Sequence, residues 1–159
     1  VRTRRRRAGV LPRLATDGGS VWTVARLPAD LTGLDLLFLN EDEAGSLLGH
    51  PGGPHETAAA LRARGAAVVV LTRGALGAVL ADETGVAALP AVPVEAVVDV
   101  TGAGDALVAA TLMRIVAGSD RRTALRAGLA AAALTLACPG GVRPDLTSDF
   151  LDAALRRAS

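Results

Sequence analysis

The residues with the clearest chemical potential lie in the string VVDVTGAGDAL at positions 97–107. The pattern predicts an apolar strand that ends near Asp99 and a long helix that begins near Gly104. Small residues at a strand-to-helix turn leave backbone N–H groups uncovered, and the helix N-terminus adds positive partial charge. Gly102, Ala103 and Gly104 are therefore predicted to form a site for a phosphate group.

An acid, Asp105, follows this predicted anion site directly. A carboxylate repels phosphate, so phosphate binding alone does not account for it. A carboxylate can instead take a proton from an attacking hydroxyl, which is the general-base step of phosphoryl transfer. The alternative is an ordinary acid in the first turn of a helix, stabilised by the helix dipole. For the GAGD string taken alone, the ordinary helix acid is the favoured interpretation, and the general base remains the alternative.

Two other nucleotide-binding motifs are not supported. GAGDA at 102–106 reads as G-x-G-x-x, but residue 107 is Leu and the string follows several predicted strands, which argues against a dinucleotide fingerprint. The chain has no G-x-x-x-x-G-K-[ST] string, and all 17 of its basic residues are Arg. The absence of Lys excludes a Walker-type P-loop.

The elements that must position these residues begin with a strand-helix pattern. LDLLFL at 34–39 and AAVVVLT at 66–72 are apolar runs typical of strands buried on both faces of a parallel sheet. Helices are predicted between them at 41–49, with acids in the first turn, and at 55–64. This order predicts a β-α-β unit with a right-handed crossover.

The second half of the sequence predicts further strands and helices. Strands at 77–82, 86–89 and 93–98, with a turn at 83–85, are expected to add antiparallel strands at the edge of the sheet. Helices are expected at 104–117, 120–137 and 148–157, and the Ala-rich stretch 130–133 indicates close helix packing.

DVTGAGDAL at 99–107 resembles, in order and length, the signature D-[TV]-[TS]-G-A-G-D-x-[FL] of the ribokinase-like (PfkB) carbohydrate kinases. NEDE at 40–43 resembles the N-x-x-E motif of that family, and LTRGALGAVL at 71–80 resembles its T-x-G-x-x-G motif. The resemblance extends over residues 20–159. It implies an α/β ribokinase-like three-layer fold, truncated, with a mostly parallel sheet flanked by helices and antiparallel edge strands.

The resemblance implies roles for particular residues. Asp105 would be the general base, and the amides of Gly102, Ala103 and Gly104 would form the anion hole for the transferred phosphoryl group. The implied ATP-binding residues are Asn40, Glu43, Thr72, Gly74 and Gly77. Glu43 would hold Mg²⁺ through water, since Mg²⁺ gives up its hydration reluctantly. Without the resemblance, Glu43 is a first-turn helix acid, and Thr72 and Gly74 belong to an ordinary β-turn.

The resemblance also implies a monovalent-cation site for K⁺. Asp99, the carbonyl of Thr101 and the loop around Gly140 correspond to that site in many members. The alternative interpretation of Asp99 is a plain residue at the end of a strand.

The chain departs from the family in length. Members are about twice as long, and their N-terminal half supplies most contacts to the sugar. We expect ATP-dependent phosphoryl transfer to a hydroxyl of a sugar or nucleoside, with residues 20–159 as the nucleotide-binding and catalytic part. The alternative is a truncated, non-catalytic nucleotide-binding remnant or one part of a split kinase, acting as a homodimer or paired with an N-terminal half.

Composition sets the broad class of protein. With 159 residues, 50% of them hydrophobic and 21% charged, the chain is expected to form one compact domain. Residues 1–13 carry six Arg and no acid, so residues 1–19 are predicted to be a disordered tail. A nucleic-acid tether is the less favoured reading of that tail, because it lacks interleaved aromatic residues.

Three observations bear on the cellular location. Cys138 is the lone cysteine and cannot form an internal disulfide. No apolar run approaches the ~18 residues of a membrane helix. The N-terminal arginines are not followed by the unbroken apolar stretch of a signal peptide. We therefore expect a cytoplasmic protein.

Overall fold

The computed structural model describes residues 14–16, 27–49, 52–140, 147 and 153. The strands are β1 (Leu14–Thr16), β2 (Leu36–Asn40), β3 (Val69–Thr72), β4 (Ala78–Asp82) and β5 (Gly85–Leu89). The helices are α1 (Glu41–Leu48), α2 (Pro54–Ala63), α3 (Ala103–Val116) and α4 (Arg121–Leu136), and a 3-10 turn spans Gly74–Leu76.

The strands form one sheet in the order β1-β2-β3-β4-β5. The first three are parallel, with Asn40 at the end of β2 opposite Thr72 at the end of β3. Strands β4 and β5 are antiparallel, and Val69 at the start of β3 lies opposite Ala81. The structure therefore confirms the predicted parallel β-α-β unit and the antiparallel strands at one edge of the sheet.

The sheet separates two helical layers. Because side chains alternate along a strand, Leu37, Leu39 and Leu71 pack with residues of α1 and α2. Phe38 and Val70 point to the opposite face, where they pack with residues of α3 and α4. The core of the molecule thus lies on both faces of the sheet, and the three-layer α/β prediction is confirmed.

Helices α3 and α4 approach closely. Ala130 and Ala131 are buried together with Ala110 of α3, as the Ala-rich stretch predicted. Gly128 of α4 lies so near α3 that a Cβ atom there would stand 2.1 Å from Oγ1 of Thr111. Small residues on α4 therefore set the short distance between the two helices.

The predicted strand at 93–98 is wrong. Residues 90–100 form no strand, and the N–H of Val98 donates instead to the carbonyl of Leu136 in α4 at 2.8 Å. Pro90 and Pro93 cannot donate to a ladder of strand hydrogen bonds, and proline disfavours strand pairing for that reason. The valines of this segment are the apolar signal that misled the prediction.

The predicted tail at 1–19 is wrong for Leu14–Thr16, which form β1 and pair in parallel with β2. Three residues are too few to show a period in the sequence, so only the pairing with β2 defines this strand. Residues 1–13 and 17–26 lie outside the described residues. The predicted helix at 148–157 also lies outside them, apart from residue 153, whose backbone is helical.

The remaining predicted elements agree with the structure to within about three residues at each end. Within the described parts of the chain, no helix combines the length and the apolar character needed to cross a membrane.

Candidate active site

Helix α4 shows at which edge of the sheet the GAGD loop lies. Arg121, its first residue, donates to Asp82 at 3.2 Å, and Asp82 ends β4 beside the start of β3. The helix has 16 residues and is about 24 Å long. Near its far end, the carbonyl of Leu136 accepts from the N–H of Val98. The loop before α3 therefore lies at the carboxyl ends of the parallel strands.

The start of α3 is open. Gly102, its N-cap, has φ of 76°, a left-handed conformation that glycine adopts without steric cost. The side chains of Asn40 and Asp120 cap α1 and α4, whereas no side chain caps α3. The first amides of α3 are thus left for a ligand, as expected for an anion site at a helix N-terminus.

The residues of the predicted anion hole and base all belong to this first turn. Ala103 and Gly104 are the first two residues of α3, and Asp105 is the third. Gly104 and Asp105 are exposed, while Gly102 and Ala103 are half-buried. Asp105 is therefore accessible to a ligand bound at the start of α3.

Asp99 joins the loop before α3 to the loop after α4. One carboxylate oxygen accepts the N–H of Thr101 at 2.9 Å, and the other accepts the N–H of Gly140 at 3.0 Å. The hydrogen bonds from Thr101, followed by that from Gly140, lower the pKa of Asp99 below its ordinary value of 3.8. The three residues named for a cation site therefore do lie together.

Asn40 and Glu43 form a reciprocal cap at the start of α1. Oδ1 of Asn40 accepts the N–H of Glu43 at 2.8 Å, and Oε2 of Glu43 accepts the N–H of Asn40 at 2.8 Å. Glu43 is only 3% exposed. The first-turn interpretation of Glu43 thus describes its structural role. The sequence analysis missed the cap, although an N-cap residue followed by Glu at the third helical position is a capping-box pattern.

Thr72 and the following turn complete the end of β3. The hydroxyl of Thr72 donates to the carbonyl of Leu39 at 3.3 Å. Gly74 opens the 3-10 turn with φ of 54°, and Gly77 closes it with φ of 89°. A Cβ at Gly77 would stand 2.1 Å from the carbonyl oxygen of Leu89, so only glycine allows β5 to lie this close.

An ion pair that the sequence analysis did not predict connects the two strand ends. Nε of Arg73 lies 3.0 Å from Oε1 of Glu41. The two residues are 32 positions apart, and only the pairing of β2 with β3 brings them together. No local sequence signal could have identified this contact.

The structure therefore gathers the predicted site residues at one edge of the sheet, in two groups. The ends of β2 and β3 hold the first group: Asn40, Glu43, Thr72, Gly74 and Gly77. The loops around α3 and α4 hold the second: Asp99, Thr101, Gly102, Ala103, Gly104, Asp105 and Gly140. Among the described residues, no three His, Cys, Asp or Glu side chains cluster as metal ligands.

The fold defines the class of protein. Solved structures with a similar fold include ribokinase from Thermotoga maritima, which is 24% identical with a TM-score of 0.71. That match extends over 79% of this chain and 43% of the ribokinase. The fold is thus ribokinase-like.

The family follows from the sequence. The pattern of the pfkB family of carbohydrate kinases matches residues 3–148, and the chain belongs to this family. The match begins well before residue 20, where the sequence analysis placed the start of the resemblance, so the Arg-rich head is part of it. No curated protein matches the chain significantly.

Two further similar structures are complexes with ligands. Arabidopsis thaliana ribokinase, complexed with ribose and ATP, is 27% identical with a TM-score of 0.70, over 83% of this chain and 43% of that one. Burkholderia thailandensis nucleoside kinase, in complex with inosine, is 29% identical with a TM-score of 0.69, over 90% and 44%. The chain spans less than half the length of each of these kinases.

Proposed function

We propose that this chain is the nucleotide-binding and catalytic part of an ATP-dependent kinase that phosphorylates a hydroxyl of a sugar or nucleoside. The observation that carries the proposal is the uncapped start of α3, with Gly102 in a left-handed conformation and Asp105 exposed at the third helical position. Membership of the pfkB family and the kinases among the structural neighbours support it.

Asp105 accepts the proton of the acceptor hydroxyl as its oxygen attacks the γ-phosphorus of ATP. The O–H bond breaks, a new P–O bond forms, and the bond from the γ-phosphorus to the oxygen of ADP breaks. The amides of Gly102, Ala103 and Gly104 donate to the phosphoryl oxygens, where negative charge is stabilised by fixed donors. Gly102 matters because a side chain at this conformation would be strained.

The strand-end residues bind the rest of the nucleotide. The hydroxyl of Thr72 donates to a phosphate oxygen in exchange for the carbonyl of Leu39. Gly74 and Gly77 carry no side chains at the two ends of the turn, so phosphates can approach the backbone there. Asn40, exposed at the end of β2, completes this group.

Mg²⁺ fits these residues as an ion held mainly by nucleotide phosphates and water. Glu43 would hold it through water, because its carboxylate is only 3% exposed and Oε2 accepts the N–H of Asn40. The described residues offer no cluster of three ligands that would enclose the ion. When bound, Mg²⁺ neutralises charge on the transferring phosphoryl group.

K⁺ is proposed to bind at Asp99, Thr101 and Gly140, whose loops the Asp99 carboxylate already connects. A rise in melting temperature in KCl over choline chloride, lost in Asp99→Asn, would support the site. Equal melting temperatures of the native chain in both salts would contradict the proposed K⁺ site.

The first test of the proposed function is the melting temperature of the chain with and without Mg-ATP, because a ligand of the folded state raises stability by mass action. A saturable rise supports a formed nucleotide site. A folded chain that shows no rise with Mg-ATP or Mg-ADP contradicts the proposal for this chain.

The second test is phosphoryl transfer to ribose and to inosine by the native chain and by Asp105→Asn. We expect the substitution to lower the rate by roughly 10²–10⁴-fold, the contribution of a general base, and to leave the melting temperature almost unchanged. Glu95→Gln removes an exposed acid outside the site and serves as the matched control. Full activity in Asp105→Asn would disprove the base assignment.

A second candidate function, one part of a split kinase, is favoured by exposed apolar side chains. Val97, Val98, Val100, Met113 and Val116 are each 57–72% exposed. Val97, Val98 and Val100 lie in the segment before α3, and Met113 and Val116 lie on α3 about two and three turns from Asp105. A surface of this kind indicates a contact with another polypeptide segment.

A further inference from the structure

A cavity lies on the face of the sheet opposite α3 and α4. It has a volume of about 590 Å³ and opens between α1 and the start of α2. Leu71 of β3 lines it from the sheet, and Asp42, Gly45 and Ser46 line it from one face of α1. Its volume falls within the ~300–1,000 Å³ of small-molecule sites. None of the groups assigned to phosphoryl transfer above lines this cavity.

The charged side chains that line the cavity, among the described residues, are the carboxylates of Glu41 and Asp42. Glu41 already pairs with Arg73, whereas Asp42 is exposed and has no ion pair within the described parts of the chain. The cavity therefore repels anions and favours a cationic group.

The hydroxyl of Thr57 is the second observation that points to a ligand. Thr57 is 6% exposed and lines the cavity. The buried helical residues Thr111 and Thr135 donate to carbonyls four residues earlier, at 2.7 and 2.9 Å. The Thr57 hydroxyl makes no such bond among the described residues. The hydroxyl is not sealed from water and opens into the cavity, so a ligand in the cavity can replace water as its hydrogen-bond partner.

Gly45 in the interior of α1 is unexplained by packing. Glycine in a helix interior costs stability relative to alanine. A Cβ at Gly45 would meet no atom within 4 Å, and its φ is not positive, so neither contact nor backbone conformation requires glycine. Because Gly45 has no side chain, the cavity extends to the backbone of α1 at this position.

We propose that this cavity binds a small aliphatic amine in its ammonium form. An ammonium group has three donors and no acceptor, which matches the Asp42 carboxylate and the hydroxyls of Ser46 and Thr57. Leu71 contacts the alkyl part. A divalent metal fits less well, because the described residues hold no cluster of three ligating side chains. The site does not depend on the proposed kinase function.

Butylammonium, 1-butanol and butyrate test the proposal, because they share one alkyl chain and differ in charge. Each is titrated into the ¹⁵N-labelled chain while the amide signals of Gly45, Ser46 and Thr57 are followed. We expect saturable shifts with butylammonium alone. Asp42→Asn should weaken binding about tenfold and Thr57→Val about fivefold, in line with a charged and a neutral hydrogen bond.

Gly45→Ala is the most discriminating variant. A methyl group there should raise the melting temperature of the free chain and weaken butylammonium binding, since it stabilises the helix and occupies the cavity. Glu95→Gln, an exposed acid elsewhere, and Asp105→Asn should bind butylammonium like the native chain. Equal shifts with 1-butanol, no saturable shift with butylammonium, or native affinity in both Asp42→Asn and Thr57→Val would overturn the proposal.

Discussion

At the scale of single residues, the same side chain often has a structural and a chemical role. Asn40 is the example, because it caps α1 through Glu43 and is also proposed to contact the nucleotide. Helix capping and phosphate contact require different properties of the side chain. A cap requires an acceptor oxygen, whereas a phosphate contact requires the absence of negative charge.

Asn40→Asp and Asn40→Ala should separate these roles. Asp caps helices as well as Asn, while Ala loses about 1 kcal/mol of stability. We therefore expect Asn40→Asp to keep the free energy of unfolding and to weaken Mg-ATP binding, and Asn40→Ala to lower both. Urea denaturation and calorimetric titration measure the two quantities. Unchanged Mg-ATP affinity in Asn40→Asp would show that Asn40 serves only as a cap.

At the scale of elements, close approach and ion pairs determine how the helices meet the sheet. Gly128 lets α4 lie against α3, and Arg121 ties the start of α4 to the turn between β4 and β5. These contacts matter for function because α4 carries Leu136, which in turn positions the loop before α3.

Gly128→Ala should destabilise the chain by about 1–3 kcal/mol, although alanine is the better helix former. The added Cβ would stand 2.1 Å from Oγ1 of Thr111 and 2.6 Å from the carbonyl of Leu107, so α3 must move. Gly45→Ala is the matched control, since it adds the same methyl group in open space and should stabilise α1. Urea denaturation measures the change in the free energy of unfolding. A higher value for Gly128→Ala than for the native chain would contradict the close packing of α3 and α4.

Arg121 donates to both Asp82 and Glu83. Burial raises the pKa of Asp82, but hydrogen bonds from Thr84 and Arg121 together lower it below 3.8. The hydrogen bond from Arg121 lowers the pKa of Glu83 below 4.5. Because both pKa values fall on folding, the ionised carboxylates stabilise the folded chain above about pH 5, and this stability is lost as pH falls through the lowered values.

Arg121→Gln should therefore cost roughly 0.5–1 kcal/mol at pH 7, a modest value because Glu83 is exposed and screened by solvent. At pH 3 the free energies of unfolding of Arg121→Gln and the native chain should differ by less than they do at pH 7. Arg122→Gln, one residue along the same helix end and exposed, controls for the change in charge near the helix dipole. The free energy of unfolding is measured by urea denaturation at both pH values. If Arg121→Gln lowers it equally at pH 7 and pH 3, the two carboxylates are not the cause of the loss.

At the scale of the whole molecule, the chain folds around a two-sided core and still leaves apolar side chains exposed along α3. Asp105, Ala109, Met113 and Val116 follow one another at helical spacing on the exposed side of that helix. An apolar stripe that begins at the proposed base is the expected surface for the segment that would complete the site in a split kinase.

The double variant Met113→Gln and Val116→Gln tests this surface. Both side chains are exposed, so the free energy of unfolding should change by less than about 0.5 kcal/mol. Self-association, measured by light scattering after gel filtration, should fall. Leu76→Gln with Val86→Gln removes exposed apolar side chains outside α3 and is the matched control. Equal association of the native chain and both variants would argue against a contact on α3.

Much of the fold could be read from the sequence, because its signals are local. Continuous apolar runs identified β2 and β3, first-turn acids identified α1, and the GAGD string identified the start of α3. The segment 93–98 and Leu14–Thr16 were misjudged because strand pairing is not local. Valines at 97 and 98 look like a strand, yet the N–H of Val98 donates to Leu136 of α4, and β1 is defined only by its pairing with β2.

The sequence by itself determined the family motifs and the residue types of the candidate site, since the spacing of glycine, acid and hydroxyl side chains is a property of the chain. Tertiary structure alone decided which of these residues meet. The pairing of β2 with β3 brings Asn40 beside Thr72 and Glu41 beside Arg73, and the length of α4 carries the GAGD loop to the same edge. Such contacts depend on register and helix length, which no single stretch of sequence encodes.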